Sequence, residues 1–247
     1  MKADPSAQLR LLDVQSLDSR ADQLRHQRRS LPEIAEIESL TASRRVFDDE
    51  RRDAQVVVDD LTAAQRKAEQ DVEHVKARRT RDTERMAQGL ITNPKDLERM
   101  QHELESLERR IGTLEDEELE VMEQLEEAQA RLDELHQRLS ASDERLAELV
   151  SSRDDKAAII DHELAQIEGQ RVPAVEGLPD DLLALYDKLR AAKGGVGAAA
   201  LTQRRCTGCQ LGIDNAELAV IAAASADTVV RCEECQRILV RTAESGL

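Results

Sequence analysis

Starting at Leu97 and stepping alternately three and four residues, the chain meets Leu97, Met100, Leu104, Leu107, Ile111 and Leu114. After Glu118 the series resumes with Val121, Leu125, Ala128, Leu132, Leu135, Leu139, Ser142, Leu146 and Leu149. An apolar residue every 3.5 positions over so many turns keeps one narrow stripe turned toward a partner helix. Residues 96–170 therefore read as one arm of a left-handed coiled coil, not as a helix of a broad globular core.

The partner arm lies earlier in the same chain. Leu17, Leu24 and Leu31 are seven apart, and Leu40, Phe47, Ala54, Leu61, Ala68 and Val75 continue at seven. The second seam position there is mixed: Arg44, Arg51, Val58, Gln65, Val72 and Arg79. Arginines at a seam can lay their stems along it and carry their heads to acids across the way. The second arm supplies those acids, since residues 89–172 hold 10 basic and 23 acidic side chains.

Between the arms, Gly89-Leu90-Ile91-Thr92-Asn93-Pro94-Lys95 ends one helix and starts another. Glycine suits a helix C-terminus, and Asn-Pro suits a cap followed by the first turn. A turn centred near residue 91 sets residue i opposite roughly 182 − i, and each arm rises about 1.5 Å per residue, or roughly 85 Å over the longer section. Ser30-Leu31-Pro32 should break or kink the first arm. At the same level the second arm carries Arg153 and Lys156 at seam positions beside Ser151-Ser152 and Asp154-Asp155, so a joint or bend involving both arms is expected there.

Composition fits this reading. Charged residues make up 35% of the 247-residue chain and aromatic residues 1%, with Phe47 and Tyr186 the only rings. Large rings normally contribute much of a broad core. No apolar run reaches membrane-spanning length, and the N-terminus lacks the apolar segment of a signal peptide. These features lead us to expect a cytoplasmic protein.

Cys206-Thr-Gly-Cys209 and Cys232-Glu-Glu-Cys235 are two C-x2-C pairs separated by 22 residues. Each short turn presents two thiolates, and two turns complete a tetrahedron of sulfurs. The five histidines all lie in the coil, so the ligand set is read as Cys206, Cys209, Cys232 and Cys235 on one structural Zn2+. Iron in a rubredoxin-like four-sulfur site is the competing metal. A thioredoxin-like dithiol would need one C-x-x-C in a larger α/β unit. Short strands are predicted at Val196–Arg205, Thr228–Arg231 and Ile238–Thr242, with a short helix over Asn215–Ala224. The metal should supply much of the folding free energy of so small a module.

The chain thus reads as mainly α: a long antiparallel coiled-coil hairpin at 1–172, kinked near 30–32 with its tip near 89–95. A linker and short helix follow at 173–193, then a small β-rich C4 zinc ribbon at 194–247. In these features it resembles a bacterial family with a long N-terminal coiled-coil hairpin and a C4-type zinc ribbon. The resemblance rests on Ile91-Thr92-Asn93-Pro94-Lys95 with Leu97, Leu178-Pro179 to Tyr186, the two cysteine pairs and Arg237-Ile238-Leu239. It implies the fold and a metal on the four matching cysteines. Relatives are linked to an alternative sigma factor, flagellar export components or mRNA, and others to nucleic-acid binding in general; the partner does not transfer. Gln236 departs from the family, which often has glycine after the second knuckle, and a non-glycine residue there strains a positive φ.

For function, the leading expectation is a non-enzymatic adaptor or chaperone-like protein that binds a protein partner through coil, ribbon or both. The alternative is RNA or DNA binding. Its candidate contacts are Arg78, Arg79, Arg81 and Lys95, in a net +3 stretch over 76–99, together with Arg204, Arg205 and Arg231 in the ribbon. A net charge of −16 opposes general polyanion binding, which is driven by Lys and Arg neutralising phosphates. The ribbon also has no ring for base stacking. The sequence presents no nucleophile–base set and no phosphate-binding glycine loop, so neither catalysis nor a small-molecule substrate is expected.

Overall fold

The computed structural model describes residues 1–247. In chain order its elements are α1 (Pro5–Arg29), α2 (Pro32–Ala87), α3 (Pro94–Val175), α4 (Asp180–Ala192), β1 (Ala198–Thr202), β2 (Arg205–Cys206), α5 (Asn215–Ala223), β3 (Val230–Arg231) and β4 (Ile238–Arg241). The residues form two compact units, 36–149 and 1–35 with 150–247. This grouping differs from the sequence-based division at 172 and 193, because α1 packs with the ribbon.

In the unit of residues 36–149, α2 and α3 run antiparallel and bury the seams read from the sequence. Val58, Leu125 and Leu132 pack together, flanked by Ala54, Leu61 and Ala128. Val72, Leu107, Ile111, Leu114, Leu135 and Leu149 are also buried. Leu97, the first seam residue, is exposed. Cross-arm ion pairs fix the register: Glu36 with Arg145 and Glu50 with Arg131, each at 3.0 Å, Lys76 with Glu115 at 2.8 Å, and Arg78 with Glu103 at 2.6 Å. Arg44 reaches Asp143 and Arg79 reaches Glu108, as the seam arginines were expected to do. Arg51 instead turns to Asp48 on its own helix, at 3.3 Å. Surface pairs of this kind contribute roughly 0.2–1 kcal/mol each, so they select register more than they stabilise. Phe47 lies under the Arg138 guanidinium, 5.7 Å from its ring centroid.

At the tip, Gly89 takes φ 64, and its N–H donates to the Met86 carbonyl at 3.1 Å. The Asn93 side chain then caps α3 by accepting from the Lys95 N–H at 3.1 Å, with Pro94 opening the helix. The left-handed glycine satisfies carbonyls that the helix end leaves free.

In the other unit, Ser30 and Leu31 separate α1 from α2, as Pro32 requires. α3, however, continues unbroken through Ser151–Asp155, so only the first arm is interrupted at this level. The polar seam residues there have a specific use. Glu33 is buried, and its carboxylate accepts from the Lys156 ammonium and from the Ser152 hydroxyl at 3.2 Å. Around this level Leu24, Leu31 and Ile160 pack together.

α1 opens on Asp4, whose carboxylate accepts from the Ser6 N–H at 2.8 Å. Its Ala7, Leu11 and Val14, after Ala3, pack with Leu182, Tyr186 and Leu189 of α4 against Ala198, Ile238 and Val240 of the sheet. The sheet runs in the order β2-β1-β4-β3, with β1 and β4 parallel and the other pairs antiparallel. Alternation along the strands turns Ala199, Leu201 and Leu239 to the opposite face, against Leu218 and Ile221 of α5 and the cysteines. The ribbon's sheet thus has a core on both faces, one helical and one built around the metal ligands.

Candidate metal centre

Each cysteine pair sits on a tight turn beside a short strand. In the first, the Cys206 N–H donates to the Leu211 carbonyl at 3.0 Å, and the Gln210 N–H returns to the Cys206 carbonyl at 2.7 Å. In the second, the Cys232 N–H donates to Arg237 at 3.1 Å, and the Gln236 N–H returns to Cys232 at 2.8 Å. The two turns are copies of one design. The residue after the second cysteine is left-handed in both, Gln210 at φ 62 and Gln236 at φ 63. The positive φ anticipated at Gln236 is present; its twin at Gln210 follows from the same C-x-x-C-Gln spacing.

The four Sγ atoms lie within 4.8 Å of one another, with Cys206–Cys235 and Cys209–Cys232 both at 3.9 Å. A tetrahedron of Zn–S bonds about 2.3 Å long has edges of about 3.8 Å, so the set fits zinc. All four cysteines are free of disulfides. Cys206 and Cys232 are buried, and Cys209 and Cys235 are half-buried. As free thiols, Cys206, Cys232 and Cys235 differ. Burial pushes Cys206 up, and it pushes Cys232 up to about 12. At Cys235 burial opposes ionisation, but hydrogen bonds from the Arg237 backbone and side chain, then from neighbouring thiols, outweigh it and bring the group down to about 7. The closed ligand set holds one structural zinc ion, and four thiolates leave it no position for substrate.

Arginines surround this centre and act within it. Arg237 donates to the carbonyls of Val196 at 2.9 Å, Lys193 at 2.8 Å and Gly208 at 3.2 Å. It thereby ties the start of the sheet to the first knuckle. A Cβ at Gly208 would lie 2.8 Å from the Arg237 side chain and 2.9 Å from Ala199, so the glycine makes room for this contact. Arg241 gathers the carbonyls of Ala224, Ser225, Ala226 and Thr228 at 2.8–2.9 Å. Of the expected nucleic-acid contacts, Arg205 and Arg231 donate to Gln210 and Gln236 carbonyls at 2.8 and 2.9 Å. Arg204 occupies the two-residue β1–β2 turn with Gln203, both at positive φ as a type I′ hairpin requires, and the chain's last residues bond to this turn.

The remaining candidates, Arg78, Arg79, Arg81 and Lys95, belong to the other compact unit. Arg78 and Arg79 are engaged with Glu103 and Glu108 across the hairpin. Arg81 and Lys95 are exposed. Sequence reasoning missed the internal use of the ribbon arginines. The repeated Arg-Cys-x-x-Cys-Gln string, at 205–210 and 231–236, was the available signal.

Fold and site together define a zinc-ribbon protein built on a coiled-coil hairpin. Residues 14–194 match the CT398-like coiled coil hairpin domain and residues 205–239 the C4-type zinc ribbon domain. The chain belongs to the CT398-like coiled-coil hairpin family. It is 36% identical over 241 residues to an uncharacterized Mycobacterium tuberculosis protein, Rv2229c in strain H37Rv, with 98% of both chains covered. A solved structure from Mycobacterium smegmatis matches with TM-score 0.83 and 36% identity, covering 98% of this chain and all of that one. CT398 from Chlamydia trachomatis shares the fold at 17% identity and TM-score 0.69, with 96% of this chain and 98% of that one covered. HP0958 from Helicobacter pylori shares it at 15% and 0.52, with 97% and 98% covered. Both matched families are of coiled-coil and zinc-ribbon kinds, not enzyme families. No helix is long and apolar enough to cross a membrane.

Proposed function

We propose that this zinc-binding protein is a non-enzymatic adaptor that binds a protein partner. One observation carries the reading. Arg205, Arg231, Arg237 and Arg241 of the ribbon, whose donors a nucleic-acid reader would offer to phosphates, donate to backbone carbonyls at Gln210, Gln236, Gly208 and Ala224, the first two at the surface. A chain of net charge −16 with its ribbon guanidiniums so engaged is poorly equipped for counterion-driven binding. The second reading, RNA or DNA binding, keeps one specific support: Arg81 and Lys95 stay exposed in the net-basic stretch near the tip.

Recovery of the tagged full-length protein from its native cells, with and without nuclease, separates the two. One discrete protein partner, recovered in equal amount after nuclease, is the expected result. Recovery that consists of nucleic acid, or of proteins that vanish on nuclease treatment, would overturn it in favour of the second reading.

A further inference from the structure

Each zinc knuckle contains a residue in a conformation that L side chains rarely adopt, placed directly after a metal ligand. Gln210 follows Cys209 and Gln236 follows Cys235, at φ 62 and 63. Glycine is the usual occupant of such a position, and another residue remains there only when its surroundings hold it. Gln236 also donates its side-chain amide to the Glu233 carbonyl at 2.9 Å, but one element of the surroundings is common to both knuckles. The residue just before the first cysteine is arginine, and its guanidinium donates to the carbonyl of that glutamine, from Arg205 at 2.8 Å and from Arg231 at 2.9 Å.

A lone contact by an exposed arginine would mean little, since a long side chain has many rotamers open to it. Here the same bond spans the same five residues twice, around two knuckles whose inner residues differ, Thr-Gly in one and Glu-Glu in the other. Each bond closes a ring from the strand entering the knuckle to the peptide leaving it. The leaving peptide also presents the next carbonyl, Leu211 or Arg237, to the N–H of the first cysteine. The arginine, the left-handed glutamine and the knuckle's backbone bond therefore form one assembly around the thiolates.

We propose that Arg205 and Arg231 are positioning residues of the zinc site, each holding its knuckle in ligand-ready form by clamping the strained glutamine that follows the second cysteine. Groups of this outer kind commonly change metal affinity by about 10–100-fold when removed.

The test is the rate at which the full-length zinc-loaded protein gives up zinc to a chromophoric chelator. Arg231→Met is expected to release zinc about tenfold faster or more. Gln236→Gly, which removes the strain, should release it no faster than wild type. In the double variant Arg231→Met with Gln236→Gly, the rate should return close to that of Gln236→Gly alone, because a glycine needs no clamp. The set Arg205→Met, Gln210→Gly and their combination should behave alike. A wild-type release rate in both arginine variants overturns the proposal. So does a double variant as fast as Arg231→Met, which would mean that the arginine does not act through the glutamine. If Arg231→Met cannot be purified with zinc while the double variant can, the rescue itself supports the clamp. Failure of both to retain zinc counts against it.

Discussion

Tyr186 donates its hydroxyl to the Asp18 carboxylate at 2.7 Å, joining residues 168 positions apart in the chain. Both are buried, and the tyrosine is fully so. The carboxylate also accepts from Arg171 at 2.7 Å and lies 3.6 Å from the Arg190 guanidinium. One acid on α1 thus collects a helix-α4 ring, a helix-α4 cation and a cation from the end of α3. It fixes how α1 lies on the ribbon's helical face.

Removing the acid should be far worse than removing the ring's hydroxyl. Asp18→Ala takes the acceptor from the Tyr186 hydroxyl and the 2.7 Å partner from Arg171, which keeps only Asp187 at 3.7 Å, while Arg190 keeps Asp22 at 2.5 Å. Loss of one side of a buried pair costs up to about 3–5 kcal/mol. Tyr186→Phe removes one bond to a charged acceptor that keeps Arg171, for about 1.5–3 kcal/mol at most. Urea unfolding should rank the variants in that order. Burial first, then the bond to Asp18, raises the Tyr186 pKa. The native state therefore holds a proton that the unfolded chain loses near pH 10. This contribution is fully present below that pH and is lost as pH rises beyond it. Tyr186→Phe should flatten the alkaline fall in stability.

Cys232→Ser should abolish stoichiometric zinc, expected at close to one ion per chain by elemental analysis of wild type. The structural consequence should follow the compact units. Leu239 and Ile238 are neighbours on β4, one facing the cysteines and the other facing Leu11 and Tyr186. Loss of the metal face loosens the strand that the helical face rests on. Hydrogen exchange should therefore rise across residues 1–35 and 150–247, while 36–149 keep their protection, since that seam contains no part of the ribbon. Uniform protection outside 194–247 would show that the helical face holds alone.

These results bear on what the sequence could disclose. The coil seams, the tip and the four-cysteine set are local patterns, with their periods and spacings written in adjacent residues. The docking of α1 on the ribbon is not local. Ala3, Ala7, Leu11 and Val14 continue the apolar stripe upstream of Leu17, so periodicity alone assigns them to the coil. Gln8 and Gln15 lie beside that stripe and mark a different partner. Gln15 accepts from the Gly197 N–H at 2.7 Å, and Gln8 donates to the Ala3 carbonyl at 2.9 Å, both in buried settings. Buried amides need such bonds, but the bonds exist only after the chain has closed. The carbonyl partners of the ribbon arginines are illegible for the same reason, since composition records a cation and not the carbonyl it donates to.

Glu33 should give the protein an acid-sensitive step. Its hydrogen bond from Lys156 is the main cause of a pKa below the ordinary carboxylate value, and Ser152 adds to it. A depressed pKa contributes stability that is present above the unfolded value, about 4.3, and is lost as pH falls through the lowered native value. Thermal unfolding between about pH 3 and 7 should show the loss in wild type. Glu33→Gln should show a shallower acid limb, with lower stability at neutral pH because Lys156 loses its counter-charge. An unchanged acid limb would mean that other carboxylates dominate it.

The tip arginines distinguish structural pairing from phosphate contact. Arg78 and Arg79 pair across the hairpin with Glu103 and Glu108, whereas Arg81 is exposed and outside these pairs. If the first two serve the hairpin, Arg78→Gln with Arg79→Gln should lower the stability of residues 36–149 by no more than about 1 kcal/mol per pair. Glutamine retains good helix propensity, so the change isolates the charge. Mixed-sequence RNA and DNA should bind neither this variant nor wild type in a salt-dependent way, even at low salt. Each phosphate contact would otherwise flatten the slope of log K against log salt by roughly one when lost. Salt-dependent binding by wild type that weakens in Arg81→Gln but not in the Arg78 and Arg79 variant would place the contact at the exposed arginine, and would count against a protein partner as the sole ligand. Binding that weakens when Arg78 and Arg79 are changed would mean that a polyanion displaces Glu103 and Glu108. That displacement should then appear as hairpin destabilisation on binding, measurable as increased exchange at residues 100–110.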